Sequence, residues 1–230
     1  MQGPKTRSDV ARPNALTRDQ VLDAALEMID ADGVEALSMR RLGRALGRDA
    51  MRLYRFAESK DALLDGVVEK VFAQLEVPPV DDGDWEGALR SLARGFRALA
   101  LNHPHVVPLL VTRPLATPLG LRPPGTLRPL EALLQLFAEA GFDDHGSLHA
   151  YRLYMGFLTG HILNELQERV SDPEETDALH RLGLYRLPAR EFPRLRSLAT
   201  ELATYDGAEE LDEGLDIVIA GLRQQVGPRA

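Results

Sequence analysis

The sequence predicts an all-α protein, with a three-helix amino-terminal head followed by a larger helical body. Three observations carry this. Two short helices flank Gly47 in SMRRLGRALGRDAMRLYRFAESK, from Ser38 to Lys60. Apolar residues recur every three or four positions from Val21 to Leu222, behind recognisable caps. Charge is also partitioned: residues 1–60 hold 11 Lys or Arg against 9 Asp or Glu, and the remaining 170 hold 16 against 26. The net charge of −8 therefore hides a basic head on an acidic body.

Residues 1–15 are polar, with Pro4, Pro13, Lys5, Arg7 and Arg12, and read either as a flexible basic arm that reaches DNA or as a disordered leader. The head spans 16–60. Helix 1 opens on a T-x-x-Q capping box, Thr17 with Gln20, carries Val21, Leu22, Ala25, Met28 and Ile29 on one stripe, and ends at Gly33. Helix 2 starts at Ser38, with Leu42, Ala45 and Leu46 inward and Arg40, Arg41 and Arg44 outward. Gly47 supplies the turn, and Asp49 caps a helix running to about Phe56, with Ala50 and Leu53 inward and Met51, Arg52, Tyr54 and Arg55 outward. A glycine-turned helix pair whose second member presents long donors suits the major groove of DNA.

A connecting helix, 61–76, is capped by Ser59 and buries Leu63, Leu64, Val67, Val68, Val71 and Phe72. The body spans 77–230. After PPVDDGD, Asp84 caps a helix with Trp85, Leu89, Leu92, Phe96 and Leu99 on one side, broken at His103-Pro104. A short apolar segment runs to Thr112, and Arg113 to Pro124 is proline-rich and poorly helical. Leu127, Leu130, Leu134 and Phe137 form a stripe ended by Gly141, and Asp144 caps a long helix to about Val170. On that helix Leu148, Tyr151, Met155, Leu158 and Ile162 recur beside Gly156 and Gly160. The last helix repeats the pattern with Leu211, Leu215, Val218, Ile219 and Leu222. These stripes suit a subunit interface or burial within one chain, and periodicity does not separate the two.

Within the head, reach and donor geometry make Arg52 the first choice for a guanine edge, with Arg40 and Arg48 next. Arg55 suits base or phosphate. Phe56 fits either a thymine methyl or the core, while Arg41 and Arg44 read as a solvated face. With Ala50 and Met51 at the start of the second helix, these residues form the expected DNA-facing set.

The order Leu53, Tyr54, Arg55, three residues on Ser59 and Lys60, then Leu63 and Leu64, resembles the tetracycline-repressor (TetR) family of transcriptional regulators. The likeness extends upstream to Leu16 and more faintly from Asp84 to Val170. This chain has Phe56 and Ala57 where the family often has His and then Phe or Val, and Arg52 where it often has a small Ser or Thr. These differences bear on the target sequence rather than the docking mode. The resemblance implies that Thr17, Tyr54 and Lys60 grip phosphates. It also implies that the helical body binds a ligand and dimerises through a four-helix bundle. The expected partners are a double-stranded DNA operator, a second copy of the chain in a homodimer, and a small-molecule inducer. Its cavity walls would include Leu92, Phe96, Leu109, Thr112, Tyr151, Tyr154, Leu158 and Asn164. The function implied is a repressor released by its inducer. A regulator controlled by a partner instead, or a helical ligand carrier or enzyme, is the alternative.

No cofactor or metal is expected. In the tetracycline repressor a histidine before a Thr-Arg-Pro turn and an acid on the long helix serve magnesium, and here the corresponding residues are Leu109 and Asn164, which suit a hard cation poorly. His145 with His149 and His103 with His105 lack an acid partner at zinc-site spacing. Catalysis has no motif to support it: no glycine-rich phosphate loop, no H-E-x-x-H, no G-x-S-x-G and no cysteine. Zero cysteines, a polar start and no membrane-length apolar run lead to the expectation of a cytoplasmic protein.

Overall fold

The computed structural model describes residues 16–78, 83–116, 118–170, 182–203 and 205–226, so the expected basic arm lies outside the described residues. The chain divides into two compact units between Val67 and Val68. The described residues are helical, without a strand.

In the first unit α1 (Arg18–Asp32) has the expected capping box. Thr17 Oγ1 accepts from the Gln20 amide at 3.2 Å, and Gln20 Oε1 accepts from the Thr17 amide at 3.0 Å. Leu26 is buried in place of the expected Met28, which is half-buried. A 3₁₀ turn, Val34–Ala36, leads to α2 (Met39–Ala45), with Ser38 as cap. The buried side of α2 is Met39, Leu42 and Gly43. Ala45 is exposed and Leu46 half-buried, because the helix stops there and the chain already turns toward Gly47 at φ +61°. Then α3 (Ala50–Leu53) is a single turn capped by Asp49. It ends before Phe56 because the amides of Phe56 and Ala57 both return to the Leu53 carbonyl, at 2.8 and 3.2 Å. Ser59 Oγ caps α4 (Lys60–Phe72), accepting from the Ala62 amide at 3.0 Å. This helix crosses the boundary between the units and stops four residues short of the expected end at 76.

In the second unit, α5 (Trp85–Asn102) buries its expected stripe behind the Asp84 cap. After it, α6 (Val107–Ala116) continues through Arg113 and Pro114, against the expectation of poor helicity there. An interior proline removes one backbone hydrogen bond and crowds the carbonyl four residues back, at about 3 kcal/mol, so this turn is helical against its local propensity. A 3₁₀ turn at Leu119–Leu121 precedes α7 (Pro124–Ala140), which buries Leu133, Leu136 and Phe137. Leu127, Leu130 and Leu134 are only half-buried, so the buried face is rotated from the one the spacing suggests. Gly141 ends α7 in the left-handed region, at φ 100°.

The long α8 (Asp144–Val170) is capped by Asp143, one residue before the expected Asp144: Asp143 Oδ1 accepts from the Gly146 amide at 2.7 Å. A 3₁₀ segment, Leu182–Arg186, and two short helices, α9 (Pro193–Ser197) and α10 (Ala199–Ala203), lead to α11 (Gly207–Arg223).

The core of this unit is α8 packed against α5, α7 and α11. Trp85, Phe142 and Phe137 meet edge to face at 5.8 and 5.5 Å, an arrangement aromatic rings favour. Arg90 and Arg94 of α5 pair with Asp216 and Asp212 of α11, while Glu86 receives both Arg223 bonds at 2.6 and 2.7 Å. Rising numbers on α5 meet falling numbers on α11, so the two helices run antiparallel. Deeper in, Glu165 is 1% exposed and accepts a two-pronged bond from Arg97 at 2.5 and 2.8 Å. That bond holds the Arg97 guanidinium above its ordinary pKa, against the opposing effect of burial. The expected interface stripes are largely spent inside the chain: Leu158, Ile162, Leu211, Leu215, Ile219 and Leu222 are all buried.

Candidate nucleic-acid interface and ligand cavity

The short α3 owes its position to Gly43. A Cβ there would lie 2.8 Å from the Arg48 carbonyl oxygen and 3.1 Å from the Ala50 amide nitrogen. Only a residue without a side chain lets α2 approach so closely, and the Arg48 amide donates to the Gly43 carbonyl at 2.8 Å. Leu42, Leu53 and Ala57 are buried beneath this crossing. The structure thereby fixes which side of α3 faces outward.

That outward side is cationic and partly apolar. Arg40, Arg44, Arg48, Arg52 and Arg55 are all exposed, Met51 is 74% exposed and Tyr54 is 43% exposed. Ala50 and Phe56 are half-buried, and the Arg55 guanidinium lies 5.1 Å from the Phe56 ring centroid. Phe56 thus divides its surface between the core and Arg55. Arg48 donates to the Gly47 carbonyl at 3.3 Å. Arg41 is occupied within the fold, bonded to Asp32 at 2.5 Å and reaching the Ala36 carbonyl.

Thr17 is exposed at the start of α1, and its hydroxyl oxygen serves the capping box. Lys60 is half-buried and donates to the Val34 carbonyl at 3.3 Å, a tie across the unit that sequence alone does not suggest. The assembled surface offers several guanidinium forks, the groups that read guanine edges and hold phosphates.

The second unit holds a cavity of about 550 Å³, within the range of small-molecule sites. Of the expected walls, Leu92, Phe96, Tyr151 and Leu158 line it. Leu109, Thr112, Tyr154 and Asn164 do not. On α6 the described lining residues are Leu110 and Val111, which lie between Leu109 and Thr112 in sequence and on the opposite side of the helix from them. Thr112 turns its hydroxyl to the Pro108 carbonyl, at 2.7 Å. Tyr154 is fully buried and donates to the Leu89 carbonyl at 2.7 Å, a bond between α8 and α5 that makes it a core residue. Burial pushes its phenol well above the ordinary tyrosine value. Asn164 faces out, and Leu163 beside it lines the cavity.

Sequence reasoning missed Phe72, Arg122, Thr126, Leu130 and Arg152 as cavity residues. Arg122 and Thr126 fall in or after a segment that reads as irregular, where no period exists to point inward. Among the described residues no group of three or more His, Asp or Glu is placed to hold a metal ion. Nor, among them, is any helix long and apolar enough to cross a membrane.

Comparison with known proteins finds a family match in each unit. Residues 21–67 match the family model for bacterial regulatory proteins of the tetR family, and 77–226 match the tetracyclin repressor-like C-terminal domain. The HTH-type transcriptional repressor DrrR1 of Streptomyces coeruleorubidus is 29% identical, over 93% of this chain and 82% of its own length. The class D tetracycline repressor of Escherichia coli is 28% identical over 92% and 94%. Among solved structures, the TetR family protein ActR of Streptomyces coelicolor in complex with actinorhodin is 31% identical, with a TM-score of 0.77, covering 93% of this chain and 99% of its own.

Proposed function

The chain belongs to the tetR family of bacterial regulatory proteins, and on that premise we propose that it is a homodimeric repressor that holds a palindromic operator and releases it when a small molecule fills the cavity. It is a DNA-binding regulator with a ligand-binding domain, and the proteins it resembles are regulators, not enzymes. The observation that carries the finer reading is one helix serving two units. Leu63, Leu64 and Val67 of α4 are core residues, and a Cβ at Gly66 would meet Leu22 of α1. Phe72, at the other end of α4, lines the cavity. A ligand that favours one placement of Phe72 thereby biases the helix on which the head is built.

In this reading Arg52 takes a guanine edge, with Arg40, Arg48 and Arg55 close to it. Met51 and Phe56 offer apolar contact to thymine methyls, and Ala50 allows close approach of the backbone. Thr17, Tyr54 and Lys60 hold phosphates. Two heads must sit about 35 Å apart to read one groove face twice, which requires a dimer. Exposed Leu148, Leu153 and Ile217 supply apolar surface for it. Repression by DrrR1 and the actinorhodin complex of ActR support the direction of control and the use of the cavity.

The test is fluorescence anisotropy on operator fragments selected from the surrounding genome. Arg52→Ala should cost about 1–3 kcal/mol on the selected sequence and flatten base preference. Lys60→Ala should weaken all sequences alike and lower the salt slope by about one. Equal behaviour of the two variants, or a monomer in sedimentation that still binds at full affinity, overturns the assignment.

A further inference from the structure

The start of α7 has no side chain of its own to close it. Pro123 stands at the cap position without a side-chain cap bond, and Pro124, the first helical residue, has no amide hydrogen. Thr126 does not fill the gap, because its hydroxyl and its amide both donate to the Pro123 carbonyl, at 2.8 and 3.0 Å. Gly125, between them, sits at the positive end of the helix dipole, where a neighbouring anion is favoured.

The Glu69 side chain of α4 occupies that place. A Cβ built on Gly125 would overlap Oε1, Cγ and Cδ of Glu69. Gly125 is buried and Glu69 half-buried, so the contact is shielded on both sides. Elsewhere α7 packs mainly on α8 and α5, and Gly125 is where its first turn receives α4. Glu69 and Phe72 lie three residues apart, on one face of α4. Phe72 lines the cavity, and so does Thr126 beside Gly125. The contact therefore lies at the edge where α4 and α7 both enter the cavity wall.

We infer that Glu69 is a positioning residue: it lies in the space left by the missing side chain of Gly125, registers the end of α4 against α7, and so sets where Phe72 enters the cavity. The seat can be blocked without distorting either helix. A methyl at Gly43 would meet backbone, whereas one at Gly125 would meet only the end of a side chain that can rotate away. Gly125→Ala should thus evict Glu69 and leave the fold intact.

Hydrogen exchange on the full chain reads both sides of the contact. The amides of 126–128 report the first turn of α7. Those of Ala73, Gln74 and Leu75, bonded to the Glu69, Val71 and Phe72 carbonyls, report the end of α4. Glu69→Ala and Gly125→Ala should each speed exchange in both segments by about threefold to fivefold, and the double variant should go no further. Glu69→Gln keeps the shape without the charge and should fall between. Gly120→Ala, where a Cβ would meet nothing, should change neither segment. If Gly125→Ala leaves 73–75 at the parent rate, or if the two single effects add in the double variant, the positioning role is wrong.

That this placement reaches operator binding rests on the function proposed above. A loosened α4 spends less time in the docking arrangement, so both single variants should bind operator about threefold or more weakly, in step with their exchange rates. Exchange that changes as expected, with operator affinity at the parent value throughout, would leave the seat standing and overturn the reading of α4 as the link to the head.

Discussion

Replacing Gly43 by alanine tests the reading head at its tightest point. Alanine is the better helix former by about 1 kcal/mol, so on an uncrowded helix the change would stabilise. Here the new methyl would meet three backbone atoms: the Arg48 oxygen at 2.8 Å, the Ala50 nitrogen at 3.1 Å and the Ala50 Cα at 3.3 Å. Backbone cannot rotate aside as a side chain can, so α2 and α3 must separate by a few tenths of an ångström. Overpacking of this kind costs about 1–3 kcal/mol, and the immobility of the neighbours puts it in the upper half of that range. After the gain in helix propensity, the net loss is about 1–2 kcal/mol. For a unit of this size that lowers the melting temperature by roughly 5–15 °C. Circular dichroism of Gly43→Ala measures it, and operator anisotropy on the folded variant should show a further loss, because α3 is displaced from its docking angle. A variant that melts at or above the parent temperature and binds operator normally would refute the close-approach argument.

Three other outcomes follow from the second unit and from α1. Arg97→Met leaves Glu165 buried without its two-pronged partner and should cost about 3–5 kcal/mol in urea denaturation; adding Glu165→Leu should restore most of that, and failure to do so would show that packing rather than charge was lost. Glu86 is held below its ordinary value of 4.5 chiefly by the hydrogen bond from Arg223. A depressed folded-state pKa means that its stabilisation is present above 4.5 and disappears as pH falls through the lower folded value, so Glu86→Gln should destabilise at pH 7, and its difference from the parent should shrink as pH falls below 4.5 in thermal melts. Thr17→Ala removes the oxygen that caps the Gln20 amide and should cost about 1 kcal/mol of stability, visible in the same melts as the Gly43 variant.

The legible parts of the sequence were those where one local interaction decides the outcome. The Thr17–Gln20 box, the Asp49, Ser59 and Asp84 caps and the glycine turn at Gly47 each depend on residues within three or four positions, and the structure contains them. What escaped was decided between helices. The buried face of α7 is set by where α8 and α5 lie, which moves burial from Leu134 to Leu133. Tyr154 and Tyr151 look alike in the sequence, yet one reaches the Leu89 carbonyl and joins the core while the other lines the cavity. The pairing of Arg90, Arg94 and Arg223 with acids more than a hundred residues away leaves no periodic trace. Arg122 could be placed only after α7 was, since its own segment has no repeating pattern.

For the cavity to control the head, its ligand must tell two placements of α4 apart by enough free energy to matter. A hundredfold loss of operator affinity requires about 2.7 kcal/mol of differential binding. Phe72 ends α4 and, with Leu75 and Val77 just beyond it, forms part of the cavity wall. Withdrawing about 100 Å² of apolar contact from these three changes ligand binding by roughly 2.5 kcal/mol, at about 25 cal/mol per Å². That area is well within what one phenylalanine and two aliphatic side chains can present, so the required coupling needs no rearrangement of α5, α7 or α8. Phe72→Ala should therefore leave operator affinity near the parent value without ligand, while reducing the fold-release a bound ligand produces. A variant that releases DNA as fully as the parent at saturating ligand would place the coupling elsewhere in the chain.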